Sequence, residues 1–132
     1  MQDKLSPHFL TIELYKGCED FYQTLKSGNI DPRWYCSPLL VEGLEEVRKR
    51  IGSAIIVNSG IRTPEHNISV GGAKNSMHLF GLAADIYCPE EHISTLYDVV
   101  KGVAMFKGIG KGKTFIHVDV RNSDTVIEWT YG

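Results

Sequence analysis

Two histidines and one aspartate are the side chains of this sequence best suited to chemistry. His78 and Asp85 stand seven residues apart in Ser76-Met77-His78-Leu79-Phe80-Gly81-Leu82-Ala83-Ala84-Asp85, and His117 lies further on in Phe115-Ile116-His117-Val118-Asp119. A third cluster, Ser59-Gly60-Ile61-Arg62, precedes both. Taken singly, each has an ordinary explanation: a strand histidine is usually hydrogen-bonded or exposed, and an aspartate at a strand end is usually a cap. Together, two imidazoles and a carboxylate suit zinc in a catalytic site, where three protein ligands leave the fourth position to water. Zinc lowers the pKa of water to about 7 and polarises a carbonyl, so hydrolysis is the reaction such a set would serve.

Spacing says how these side chains must be carried. In Thr114-Phe115-Ile116-His117-Val118-Asp119-Val120 a period of two puts Phe115, His117 and Asp119 on one face and Ile116, Val118 and Val120 on the other. His117 and Asp119 are therefore expected to point the same way, out of the core. The odd separation of His78 and Asp85 would put them on opposite faces of a straight strand, so the chain must bend between them. Gly81 is the expected bend, and the small Ala83 and Ala84 permit close approach of neighbouring elements.

The elements around these motifs read as helices early and strands late. Phe9, Leu10, Leu14, Phe21 and Leu25 predict one helix with ragged ends over residues 8–27, followed by a loop over 29–37 in which Pro32 and Trp34 cover the core edge. Ser37-Pro38 offers an N-cap and a first-turn proline for a helix whose apolar face is Leu40, Leu44, Val47 and Ile51, ended by Gly52. Residues 54–57 predict a buried strand, 58–72 mostly loop, and 82–88 a second strand. Pro89-Glu90-Glu91 starts a helix with Ile93, Leu96, Val100 and Val103 as its stripe; strands are expected at 104–109, 114–120 and 126–131. This pattern gives an α+β fold, with helices packed on one antiparallel sheet, in a single domain over residues 1–132.

Composition narrows the partners. Apolar residues make up 42% and charged residues 23%, ordinary for a globular domain, and a net charge of −2 gives no general electrostatic reason to bind nucleic acid or an anionic membrane. The three cysteines form no CxxC pair and are expected to be reduced thiols. The first residues lack the basic start and apolar run of a secretory signal, so the expectation is a monomer made in, and kept in, the cytoplasm unless another agent releases it.

The run SMHLFGLAAD fits the pattern Ser-x-His-x-x-Gly-x-Ala-x-Asp. With SGIR before it and FIHVDV after it, the chain resembles the D-alanyl-D-alanine carboxypeptidase group of zinc peptidases. That group includes vancomycin-resistance D,D-dipeptidases, phage endolysins cutting L-alanyl-D-glutamate bonds and cell-wall D,D-endopeptidases, and the Hedgehog signalling domain shares its fold. The similarity runs from about Leu5 to Val120, and SGIRTPEHNISVGGAKNSMHLFGLAADI resembles small phage-type members. The resemblance implies one zinc ion held by His78, Asp85 and His117, a peptidoglycan stem peptide as substrate, Arg62 steadying the substrate or the developing oxyanion, and Ser76 hydrogen-bonding the peptide. Several members carry Glu or Asp three residues before the last zinc histidine as general base. Thr114 stands there in this chain and cannot accept a proton usefully. Asp119, on the strand face of His117, is the candidate for that work, against a role as a carboxylate that only orients its neighbour. His66 is a further candidate to line the site, and Trp129 and Tyr131 to wall it. The alternative reading is a non-catalytic zinc-binding module, such as a phage particle component.

Overall fold

The computed structural model describes residues 3–131; Met1, Gln2 and Gly132, at the ends of the expected domain, lie outside the described residues. In chain order the elements are β1 (Lys4–Ser6), β2 (Phe9–Leu10), a 3-10 turn (Thr11–Tyr15), α1 (Glu19–Ser27), a 3-10 turn (Pro32–Tyr35), α2 (Pro38–Ile51), β3 (Ile56–Ser59), α3 (Pro64–Ser69), a 3-10 turn (Met77–Phe80), β4 (Ala83–Tyr87), a 3-10 turn (Glu90–His92), α4 (Ile93–Lys101), β5 (Gly108–Lys111), β6 (Phe115–Asp119) and β7 (Ile127–Thr130). The class is α+β, as the sequence predicts.

The sheet is mixed rather than antiparallel throughout. Its order is β3-β4-β6-β5-β7, with antiparallel pairs up to β5 and a parallel pair between β5 and β7. The chain leaves β6, crosses the end of β5 and returns on its far side, so β7 opposes β6 in direction and therefore runs with β5. A separate two-stranded pair, β1-β2, has no counterpart in the sequence reading.

The single helix expected over 8–27 is three pieces. Glu13 accepts from the Leu10 N–H at 2.8 Å, the 3-10 turn follows, and Gly17 at φ 86° breaks the path before α1 starts. Phe9, Leu14 and Leu25 are buried nonetheless, so the apolar positions are core but their spacing came from different elements. Pro32 is buried and its carbonyl accepts from the Tyr15 hydroxyl at 2.6 Å, whereas Trp34 is 84% exposed and does not cover the core edge. In the stretch read as loop, Thr63 Oγ1 accepts from His66 N–H and Pro64 sits in the first turn, which starts α3.

Helix α2 buries Leu40, Leu44 and Val47 and ends at Gly52 in the left-handed conformation, as expected; Ser37 precedes it in extended backbone, but its side chain makes no capping bond. These leucines share a core with Leu96 and Val100 of α4 and with Ile86, Ile109, Ile116 and Val118 from the sheet. The apolar face of β6 is thereby committed to the helices, and its His117 face is left for the site. The three cysteines are free and buried. No helix of the described residues is long and apolar enough to cross a membrane.

Gly81 makes the bend that the sequence demands. It adopts φ 69°, its carbonyl accepts from Ser37 N–H at 3.0 Å, and a Cβ there would overlap the Tyr35 carbonyl oxygen. Gly81→Ala is expected to lower stability by roughly 2 kcal/mol or more, combining left-handed strain with the overlap. Urea denaturation will read this as a lower midpoint at unchanged slope.

Candidate metal centre

Backbone register brings two of the three candidate ligands together. Asp85 of β4 lies directly opposite His117 of β6, so both side chains leave the same face of the sheet. His78 arrives from the 3-10 turn before β4, which Ser76 starts by accepting from His78 N–H at 3.3 Å; the His78 carbonyl in turn accepts from Arg62 N–H at 3.1 Å. His78 Nδ1 lies 2.7 Å from the Gly60 carbonyl oxygen, which can only accept. The proton therefore sits on Nδ1, and the Nε2 lone pair faces Asp85.

One carboxylate oxygen is shared. Asp85 Oδ1 is 3.2 Å from His78 Nε2 and 3.0 Å from His117 Nδ1, and the three ligand atoms lie within 4.8 Å of one another. Tetrahedral ligands on zinc bonds of 2.0–2.1 Å stand about 3.3 Å apart, so the two shorter separations already match an edge of that polyhedron. The donor set and its spacing fit a zinc ion.

The electrostatics suit a cation. Burial alone would raise the Asp85 pKa, but the hydrogen bonds and charge that His117 and His78 supply when doubly protonated hold the carboxyl well below the usual range. Burial alone would lower that of His117; bonds to Asp119 and Asp85 outweigh it and raise it. Positive charge is thus favoured at this point whether a proton or a metal provides it.

Asp119 shares the His117 face, but it does not point out of the core and is fully buried. Its Oδ2 lies 2.8 Å from His117 Nε2 and accepts from Arg121 Nη2 at 2.7 Å, while Oδ1 accepts from Arg121 Nε at 2.8 Å. Burial would raise its pKa; the bonds from Arg121 and His117 hold it well below the usual range. So engaged, and absent from the cleft wall, this carboxylate does not face the cleft as the strand period predicts; it is placed to hold His117 with Nδ1 free for a ligand bond. Gly108 of β5 makes the room, because a Cβ there would overlap the Asp119 carboxylate. The Arg121 guanidinium also lies 5.2 Å from the Trp129 ring, which is 5.2 Å from the His117 ring. His117 is thus gripped from two sides.

The ligand group opens on a cleft of about 640 Å3 that includes Arg62, Ser76, Arg121, Trp129 and Tyr131 in its wall. Arg62 is fixed by Ser59 Oγ at 3.0 Å, Asn67 Oδ1 at 3.1 Å and Asp85 Oδ2 at 3.2 Å. His66 is not in the wall; its ring packs on Gly17 instead. Thr114 serves through its carbonyl, which accepts from Cys88 N–H at 2.9 Å. The sequence reading missed Arg121, although it stands two residues past Asp119 and so continues the same strand period.

The family model for peptidase M15 matches residues 7–119, which include all three candidate ligands. No individual curated protein matches the chain. If Asp119 acts through His117, Asp119→Asn will weaken zinc binding by roughly 10–100-fold, read by competition with a chelator, while the far-ultraviolet spectrum is retained.

Proposed function

Because the chain belongs to the peptidase M15 family, a family of zinc metallopeptidases, we propose that it hydrolyses peptide bonds next to D-amino acids in peptidoglycan stem peptides. The observation that carries this reading is the convergence of His78 Nε2, Asp85 Oδ1 and His117 Nδ1 at the floor of an open cleft. Those three residues would hold the metal. Zinc, when bound, supplies Lewis-acid polarisation of the scissile carbonyl and lowers the pKa of water to about 7.

The chain's own groups prepare the rest. Arg62, held at three points, is a preorganised cation beside the carbonyl oxygen as negative charge develops there, and it costs no reorganisation at the moment of reaction. Ser76, in the cleft wall, gives the peptide a hydrogen-bonding partner. Asp119 keeps the proton of His117 on Nε2 and the ring fixed. The substrate is the stem peptide and the acting species is a monomer; the resemblance of the SGIR-to-ADI stretch to small phage-type members supports release to the cell wall as an endolysin.

A second reading has one observation in its favour. Among the described residues, Asp85 is the only carboxylate in the cleft wall, so nothing replaces the acidic residue absent at Thr114. A zinc-binding module without turnover would look the same in this respect.

Mass spectrometry of purified peptidoglycan fragments after incubation with the zinc-loaded protein separates the two. The peptidase reading expects new stem-peptide termini from the wild type, and His78→Ala is expected to lose both the zinc and the hydrolysis. Tight zinc binding with no cleavage of any fragment would leave the module.

A further inference from the structure

The Arg62 guanidinium is held at each of its nitrogens by a different residue. Ser59 Oγ accepts from Nε at 3.0 Å, Asn67 Oδ1 from Nη1 at 3.1 Å and Asp85 Oδ2 from Nη2 at 3.2 Å. Nε carries one N–H and each terminal nitrogen two, so one donor is left on both Nη1 and Nη2 for a ligand. Where those donors point depends on the plane of the fork. Among the described residues, Asn67 is the one that holds Nη1. Without it the fork can close on Asp85 as a bidentate pair, the geometry a guanidinium and a carboxylate favour, and its remaining donors would turn from the cleft.

Asn67, in α3, is buried, and its side-chain amide meets two groups of opposite kind. Arg62 Nη1 can only donate and the Ala73 carbonyl can only accept; Oδ1 takes the first and Nδ2 gives to the second at 2.8 Å. A carboxylate at this position could not donate to Ala73, and an apolar side chain could satisfy neither. The Asn67 backbone carbonyl also accepts from Gly72 N–H at 2.8 Å. Gly72 and Ala73 belong to the loop from Val70 to Met77, which lines the cleft at every position except Lys74 and carries Ser76. Arginine and loop therefore share one joint. It is closely packed, because a Cβ on Gly72 would overlap Asn67 Oδ1 and crowd Arg62 Nη1.

We infer that Asn67 is a positioning residue, which sets the plane of Arg62 and fixes the loop that the peptide lies against, so that peptide binding and charge stabilisation are coupled through one amide. The inference rests on the peptidase reading above. The test uses the full zinc-loaded chain carrying Asn67→Ala or Gly72→Ala, each alone and together with Arg62→Ala. The probe is a stem-peptide phosphinate, whose tetrahedral anion stands where the scissile carbonyl would be, and its affinity is read by calorimetry. Each single change is expected to weaken binding roughly tenfold, and to have less than roughly twofold effect once Arg62 is gone. Equal losses in both backgrounds mean a general structural role and overturn the inference. Gly72→Ala removes no hydrogen-bonding side chain, so it carries the test if Asn67→Ala does not fold. Trypsin cleavage after Lys74, which is exposed in the loop, reads the other half of the joint. Cleavage there roughly tenfold faster in Asn67→Ala is expected, and an unchanged rate overturns the shared joint. If the coupling appears but wild type cleaves no stem peptide, the peptidase reading falls while the joint stands; a wild type that does not bind the phosphinate overturns both.

Discussion

One oxygen atom, Asp85 Oδ1, is the point on which the site is built. Two imidazole nitrogens face it at 3.0 and 3.2 Å, one from the strand directly opposite and one from a turn seven residues upstream. The cross-strand half of this contact is set by register, and a slip of one residue in the β4-β6 pairing would turn Asp85 or His117 to the opposite face. The other half is set by Gly81, whose left-handed backbone lets the chain leave the 3-10 turn and enter β4 with His78 still over the sheet. The hydrophobic packing of Ile116 and Val118 beneath the helices protects the register, so burial on one face of β6 fixes chemistry on the other.

Support for this contact is layered. His78 is oriented by a backbone carbonyl and His117 by a carboxylate, two ways of fixing which nitrogen is free. The Asp119 carboxylate is itself held by three donors of Arg121, and a strand position without a side chain gives it room. Such an arrangement is costly to break. Removing one partner of a buried ion pair strands the other charge, at about 3–5 kcal/mol, even where the intact pair adds little net stability. The value of the Asp119–Arg121 pair therefore lies in holding geometry.

Much of the site was legible in the sequence, because ligand chemistry depends on residue type and the period of two by itself assigns His117 and Asp119 to one strand face. The bend at Gly81 was legible too, since an odd spacing on one face leaves no other solution. What failed was what depends on tertiary surroundings. The apolar residues over 8–27 mimic a helical stripe, yet Gly17 and the Leu10–Glu13 turn divide them, and only packing reveals it. The parallel pairing of β7 with β5 follows from where a connection crosses, which strand patterning does not encode. The exposure of Asp119 was misread because facing the same way as a ligand was equated with facing solvent. The helices do not cover that side, but Trp129 and Arg121 do.

The two arginines show the same logic in electrostatic form. A cleft with two exposed guanidinium groups would attract anions of any kind, and the metal-ligand group would compete with them for its own carboxylates. Pairing Arg62 with Asp85 and Arg121 with Asp119 removes that competition, because each cation is satisfied by a carboxylate whose other task is to hold or orient a ligand. Asp85 can then present Oδ1 to the imidazoles while Oδ2 is occupied, and His117 can present Nδ1 while Nε2 is occupied. Every bifunctional group at this site thus has one end tied down by the protein, and that is what leaves three lone pairs pointing at a common centre instead of at one another's protons.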